Sequence, residues 1–187
     1  MPDTRNIPAG TLVRRLWSSD RDAVVTLFRD LDPESRFDRF MGTVSEAAAA
    51  AYASHAVSAE GLVFGAFADG ILRGVGELRP KGASAEAEIA FAVAPGHRGR
   101  GLGGALGARL AEAARNAGTR RIHLRCLPGN RRMRALARHL GAEFRLGGRE
   151  VLALSPPTLF SLWREGVDGL FDAAAAVSAA WPTVPLA

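Results

Sequence analysis

A chain of 187 residues that is 48% hydrophobic and 23% charged is long enough and apolar enough to bury the core of one globular domain. No stretch reaches the roughly 18 to 20 strongly apolar residues of a membrane span, and the opening MPDTRNIPAG lacks the apolar region of a secretory signal. The single cysteine, Cys126, excludes an internal disulfide and is expected to lie in the core on a strand. These features predict a cytoplasmic protein without a membrane partner.

The net charge of +5 and the sequence pI of about 10.8 are compatible with binding to nucleic acid. However, the arginines are spread over several segments, and no zinc finger, helix-turn-helix or aromatic RNA-binding motif is evident. We therefore expect no nucleic-acid partner. The four histidines have no metal-ligand spacing and no cysteine cluster beside them, so we also expect no metal site.

The pattern of apolar residues and turn signals predicts both strands and helices. A first strand precedes three helices, and a hairpin of two strands turns at Asp69-Gly70. A third strand leads into a glycine-rich loop and a long helix, followed by a strand, a helix and two closing strands. The predicted strands cover 11–19, 61–68, 71–79, 85–93, 120–127, 142–146 and 150–155. The predicted helices cover 18–31, 32–42, 43–56, a segment ending near 116, and 130–141.

Hairpin strands beside strand-helix-strand units predict an α/β (α+β) fold, with a mixed, mostly antiparallel sheet of about seven strands flanked by helices. We place this domain at residues 10–155 and a tail at 156–187. Apolar residues of the tail recur at the spacing of an amphipathic helix. They are Leu159, Phe160, Leu162, Trp163, Val167, Leu170 and Phe171. Such a helix either folds back on its own domain or forms a homodimer contact.

The segment APGHRGRGLGG, residues 94–104, places glycines and arginines directly before a helix. A helix N-terminus attracts an anion because its N–H groups are unpaired, and glycine lets the backbone approach that anion closely. Arg98 and Arg100 add cations that suit phosphate oxygens. A P-loop is excluded because Ala105 and Leu106 stand where a lysine and a hydroxyl are needed. A dinucleotide-binding loop matches only formally, because antiparallel strands precede it.

Two motifs together resemble the GNAT N-acyltransferase superfamily. The run V-x-P-x-x-R-G-x-G-L-G, from Val93 to Gly103, is similar to the loop that holds the pyrophosphate of acyl-CoA in that family. A second family landmark, an asparagine followed by a helix that ends in Leu-Gly, matches the segment from Asn130 to Gly141. Three segments together resemble bacterial Pat-like protein-lysine acetyltransferase domains more closely: LDPESRFDRFMG, AEIAFAVAPGHRGRGLG with its strand glutamate, and PGNRRMRALARHLG.

The resemblance implies a GNAT fold and an N-acetyltransferase that uses acetyl-CoA as its co-substrate. It also implies that main-chain donors near Phe91 and Val93 polarise the thioester carbonyl and bind pantetheine. Such donors require a break in strand pairing beside residues 90–94. The other cofactor-binding residues that it implies are Arg98, Gly99, Arg100, Gly101, Leu102, Gly103, Gly104 and Asn130.

Direct transfer from a thioester to an amine needs no protein nucleophile, but a protonated amine needs a general base. The alternation in AEIAFAV places Glu88 on one face of a central strand, where a carboxylate is costly unless it is paired or used. We predict that Glu88 is the catalytic base, and the alternative is a structural ion pair with an arginine. Glu86, on the same face nearer the strand start, is the substitute.

One position departs from the family pattern. Many relatives carry a tyrosine that protonates the leaving thiolate in the helix before Leu-Gly, and that position is here about Ala137. Either no acid is used, or a water or His139 serves. The acceptor is a protein lysine or a small amine, which Asp38, Glu46 or Tyr52 in the early helices could contact. A non-catalytic acyl-CoA-binding module is the remaining alternative.

Overall fold

The computed structural model describes residues 10–82, 84–145, 149–153 and 167. The strands in these residues are β1 (Leu12–Arg15), β2 (Leu62–Ala68), β3 (Ile71–Pro80), β4 (Glu86–Val93), β5 (Arg121–Arg125), β6 (Glu143–Arg145) and β7 (Arg149–Ala153). The helices are α1 (Arg21–Arg29), α2 (Pro33–Phe40), α3 (Glu46–Ala56), α4 (Leu102–Asn116) and α5 (Arg131–His139).

The strands form one mixed sheet in the order β1-β2-β3-β4-β5-β7-β6. β1 to β4 pair antiparallel with their neighbours, whereas β4 and β5 run parallel. The parallel pair requires a crossover, and α4 supplies it. The predicted mixed sheet flanked by helices is therefore confirmed.

Each face of the sheet buries its own apolar cluster. On one face, α4 packs on the central strands, and its contributions to the core are Leu102, Leu106 and Leu110. On the other face, α1 and α3 pack on the strands, and the core includes Val24, Leu27, Phe28, Ala49 and Ala53. α2 lies on this second side and packs against β4, which brings it to the edge of the functional site.

Local sequence signals set several element boundaries. Asp32 caps α2 because its Oδ1 accepts a hydrogen bond of 2.6 Å from the Ser35 amide, and Pro33 occupies the first helical position. Ser45 caps α3 in the same way. The hairpin turn lies at Asp69 and Gly70, both with positive φ, as expected for an Asp-Gly turn of type I′.

Cys126 is buried and forms no disulfide, as predicted, but it lies just beyond the end of β5 and not on a strand. No helix in the described ranges is long and apolar enough to cross a bilayer. The predicted tail helix and domain boundary fall in 154–187, where the structure describes only residue 167. The dimer contact and the cytoplasmic location stay predictions.

Candidate active site

A cavity of about 650 Å³ lies beside the second half of β4. Its other walls are α2, the glycine loop with the first turn of α4, and α5. All the predicted cofactor-binding residues except Arg100 line it: Phe91, Val93, Arg98, Gly99, Gly101, Leu102, Gly103, Gly104 and Asn130. The fold thus brings together two motifs that are distant in the sequence.

The cavity forms because two neighbouring strands separate. β4 pairs with β5 only from Glu86 to Ile89. Beyond Ile89, β4 continues to Val93 and stays paired with β3, but it pairs with no described residue on the β5 side. The expected break in pairing beside residues 90–94 is confirmed. It leaves main-chain groups facing a gap instead of a neighbouring strand.

The amides of Phe91 and Val93 point into this gap. The Ala94 amide donates a hydrogen bond of 2.8 Å to the carbonyl oxygen of Arg73, just beyond the last β3–β4 pair. Successive residues of a strand direct their N–H groups to alternate sides, so the Ala92 amide also faces β3. Phe91 and Val93 therefore direct their N–H groups to the opposite side, where β4 has left β5.

The glycine loop ends in an uncapped helix N-terminus. Gly99 and Gly101 have φ values of 71° and 80°, in the left-handed region that favours glycine. Gly101 is the N-cap of α4, no side chain caps it, and the first turn carries no acidic residue. The first amides of α4 therefore have no capping partner, and the helix dipole adds positive potential there. This geometry suits an anion, as the sequence predicts.

Cationic side chains surround the loop. Arg98 donates from Nε to the carbonyl oxygen of Val93 at 3.3 Å, and its Nη2 lies 3.5 Å from Oδ2 of Asp32 on α2. The further cationic or basic side chains that line the cavity are Arg39, His97, Arg125, Arg132 and His139. Arg100 is exposed and does not line the cavity, so its position does not support the expected role in cofactor binding.

The α5 wall depends on Asn130. Its Oδ1 accepts a hydrogen bond of 2.9 Å from the Met133 amide and so caps α5, while the residue also lines the cavity. Ala137, the position of the tyrosine in many relatives, is fully buried in the core and does not reach the cavity. His139 does line it, beside Gly104 in the first turn of α4. His139 thus lies near the anion-binding end.

Glu88 does not line the cavity directly. The first residue of β4 that lines the cavity is Ala90. Glu88 precedes Ala90 by two residues, a distance of about 7 Å along a strand. Glu88 and Ala90 share a face of the sheet, and the Glu88 side chain is half-buried. The Glu88 carboxylate forms no hydrogen bond or ion pair with any described residue. The alternative of a structural ion pair with an arginine is therefore not found.

Glu86, the substitute candidate, is fully engaged. It accepts a hydrogen bond of 2.9 Å from Nε2 of His123 and forms an ion pair with Arg121. The His123 hydrogen bond holds the pKa of Glu86 below its ordinary value, and Arg121 acts in the same direction. A carboxylate paired in this way is a weaker base, which favours Glu88 over Glu86.

A buried ion cluster that the sequence analysis did not foresee holds α2 against the sheet. Glu77 on β3, which is 1% exposed, accepts hydrogen bonds from Arg39 at 2.5 Å, Tyr52 at 2.6 Å and Arg79 at 2.8 Å. Burial opposes the charge of Glu77, but Arg39 and the hydrogen bonds outweigh it and lower the pKa of Glu77. We define these four residues as the Glu77 cluster.

The early helices contribute to the cavity through α2. Of the three acceptor contacts expected from the sequence, Asp38 lines the cavity, whereas Tyr52 is bound to Glu77. Glu46, in the first turn of α3, is not among the lining residues. Within the described part of the chain, no group of three or more His, Cys, Asp or Glu residues is placed to hold a metal ion.

Comparison with known proteins identifies relatives of this architecture. The sequence model described as "Acetyltransferase (GNAT) family" matches residues 22–142, more than half of the chain. No curated protein matches the sequence significantly.

Solved structures share the fold. The GNAT domain of S. lividans PAT is 25% identical with a TM-score of 0.65, covering 76% of this chain and 89% of that one. A putative acetyltransferase from Salmonella typhimurium, solved with its cofactor acetyl-CoA, is 17% identical with a TM-score of 0.62. The match covers 80% of this chain and 97% of that one. A mutant cAMP-binding acyltransferase from Mycobacterium smegmatis is 23% identical with a TM-score of 0.56, covering 90% of this chain but only 52% of that one.

Proposed function

Because this chain belongs to the GNAT acetyltransferase family, we propose that it transfers an acetyl group from acetyl-CoA to a primary amine, with Glu88 as the general base. Acetyl transfer follows from the family. The amine and the role of Glu88 are our proposal. The observation that carries it is the gap beside β4, where two free amides adjoin an uncapped, cation-rich helix N-terminus.

The residues around the cavity fit acetyl-CoA. A diphosphate would be held by the first amides of α4 and by Arg98. The pantetheine arm would follow the open side of β4, where the Phe91 and Val93 amides lack a strand partner among the described residues. A cavity of about 650 Å³ is in the range that ligand sites occupy.

The chemistry that acetyl-CoA supplies is a thioester carbonyl. The N–H groups of Phe91 and Val93 would stabilise the negative charge that develops on the carbonyl oxygen. As the new C–N bond forms and the C–S bond breaks, a proton leaves the amine, and Glu88 would accept it. Because Glu88 lies about 7 Å from Ala90 along the strand, we propose that the proton passes from the amine to Glu88 through one water.

The residue at position 137 cannot protonate the leaving thiolate, because it is an alanine buried in the core. His139 lies beside Gly104, at the end of the cavity that we assign to the diphosphate. A CoA thiol with a pKa of about 8.5 is a tolerable leaving group without a protein acid. We therefore propose that solvent protonates the thiolate.

The acceptor is a protein lysine or a small amine, and the resemblance of α2 and β4 to Pat-like domains favours the protein lysine. Membership in an acetyltransferase family favours an enzyme over the alternative of a non-catalytic acyl-CoA-binding module.

The test is release of CoA thiol from acetyl-CoA, measured with a panel of small amines, lysine peptides and proteins. We expect release with at least one amine, accompanied by an amide product of the correct mass. A protein that binds acetyl-CoA but releases no thiol with any member of the panel would remove the proposed activity.

A further inference from the structure

The cavity contains an unexplained carboxylate. Asp38 is the one acidic residue among the described residues that line it. The other charged or titratable lining residues are cationic or basic: Arg39, His97, Arg98, Arg125, Arg132 and His139. Those on the loop and α5 suit the diphosphate, and Arg39 is neutralised by Glu77. Asp38 therefore needs a different explanation.

The two other carboxylates of α2 and its N-cap have partners. Asp32 accepts from the Ser35 amide and lies 3.5 Å from Arg98. Glu34 lies 3.5 Å from Arg132. By contrast, the Asp38 carboxylate forms no hydrogen bond or ion pair with any described residue. Its carboxylate is free on a helix whose other acids are engaged.

The surroundings of Asp38 disfavour an uncompensated negative charge. The side chain is partly buried, and Leu31, Ala90 and Ala92 line the same cavity with apolar surface. Burial, followed by the charge of Glu34, raises the pKa of Asp38, while Arg132 and Arg98 act in the opposite direction. Partial burial of a carboxylate without a partner carries a cost, and a bound cation would offset it.

We propose that Asp38 binds the positively charged head of an alkylammonium acceptor and thereby selects cationic amines over neutral nucleophiles. The inference rests on the proposed function. The unbranched alkyl stem would pack on Leu31 and on the small side chains Ala90 and Ala92. α2 packs against β4, so an acceptor held by Asp38 lies on the wall facing the reacting part of β4. Asp38 then recognises the ammonium form, which must lose two protons to become the amide. The first proton passes to water and leaves the neutral nucleophile, and Glu88 accepts the second as the C–N bond forms and the C–S bond breaks.

The kinetic test uses two acceptors of the same shape. n-Butylamine is a cation at neutral pH, whereas O-propylhydroxylamine is neutral. We expect Asp38→Asn to lower kcat/KM about tenfold or more for n-butylamine, through KM, and to leave it nearly unchanged for O-propylhydroxylamine. Glu34→Gln, an exposed acid of the same helix that does not line the cavity, should change neither.

An equal loss with both acceptors, or a loss in kcat alone, would overturn the assignment, because a structural or catalytic role does not depend on the charge of the acceptor. No loss with n-butylamine would overturn it as well. Restoration of the preference for n-butylamine by Asp38→Glu would support charge recognition over a defect in folding.

A binding measurement separates this inference from the proposed function. Protein saturated with CoA is titrated by calorimetry with butyltrimethylammonium, which cannot be acetylated. We expect binding to the wild type that weakens about tenfold in Asp38→Asn and is unchanged in Glu34→Gln. Binding with this pattern would support Asp38 even if no amine were acetylated, whereas equal binding to all three proteins would overturn its role.

Discussion

The two walls of the cavity are built in different ways. The wall formed by β4, the glycine loop and α5 presents main-chain amides, glycines and cationic side chains such as Arg98 and Arg132. The α2 wall instead depends on side chains, since Arg39 reaches the buried Glu77 on β3, and Asp38 faces the cavity without a partner. The first wall suits the proposed acetyl-CoA, whereas the second would offer the Asp38 carboxylate to the proposed acceptor.

This difference separates stability from recognition on α2. Arg39 and Asp38 are adjacent in sequence, yet Arg39 pairs with the buried Glu77, whereas the Asp38 carboxylate has no described partner. Substitutions should therefore divide into those that loosen the α2 wall, those that stop the chemistry and those that weaken binding at the loop.

The largest effect is expected from Arg39→Ala, which leaves Glu77 buried without its closest cation. Removing one partner of a buried ion pair costs about 3 to 5 kcal/mol of folding free energy, measured here by urea unfolding. Arg132→Ala, which breaks the exposed pair with Glu34, should cost less than about 1 kcal/mol. Equal losses would show that the Glu77 cluster does not hold α2.

The same cluster predicts how stability responds to acid. The pKa of Glu77 is lowered in the folded protein, so its contribution is present above the ordinary value of 4.5 and is lost as the pH falls through the lowered value. Glu77→Gln should therefore be less stable than the wild type at neutral pH, and the difference should shrink in acid. A difference that is constant with pH would contradict an ionised Glu77.

The next largest effect is expected from Glu88→Gln. It should lower kcat about 100-fold and leave KM for acetyl-CoA unchanged, because it removes the proposed base without changing the residues that we assign to the cofactor. Glu86→Gln is the matched control, since Glu86 is occupied by His123 and Arg121. Full activity in Glu88→Gln, or an equal loss in Glu86→Gln, would remove Glu88 as the base.

Gly101→Ala should weaken acetyl-CoA binding about tenfold, because a positive φ costs an L-residue roughly 1 to 2 kcal/mol and the loop must keep its shape to bind. Gly118→Ala is the control. Gly118 has a φ of 81° but does not line the cavity. Both variants should lose stability, measured by thermal unfolding, but only Gly101→Ala should lose affinity in calorimetry.

The smallest expected effect is the difference in acetyl-CoA affinity between variants of Arg98 and Arg100, to which the sequence analysis assigns the same role. Arg98→Ala should raise the Kd for acetyl-CoA about tenfold, the loss of one charge-assisted contact. Arg100→Ala should change it less, because Arg100 is exposed and outside the cavity wall. A larger loss in Arg100→Ala would restore the sequence-based assignment.

Most of the loop wall could be predicted from the sequence because local signals determine it. Glycines with positive φ, the uncapped start of α4 and the asparagine cap of α5 all depend on residues close in the chain. The exposure of Arg100 was missed because glycine spacing does not show which way a loop side chain points.

The α2 wall could not be predicted, because its partners are far apart in the chain. Glu77 is visible as a charge inside a strand, but Arg39 and Tyr52 lie 38 and 25 positions away. Asp38, Glu46 and Tyr52 were equivalent candidates in the sequence. Only the packing of α2 on β4 shows that Asp38 reaches the cavity.

The central claim is that the gap beside β4 and the start of α4 bind acetyl-CoA. Calorimetric titration of the folded protein with acetyl-CoA tests it most directly. We expect one site per chain with a Kd of about 1 to 100 µM, corresponding to roughly 5 to 8 kcal/mol, and weaker binding in Arg98→Ala. A well-folded sample that gives no heat of binding at millimolar acetyl-CoA, at more than one temperature, would contradict the account.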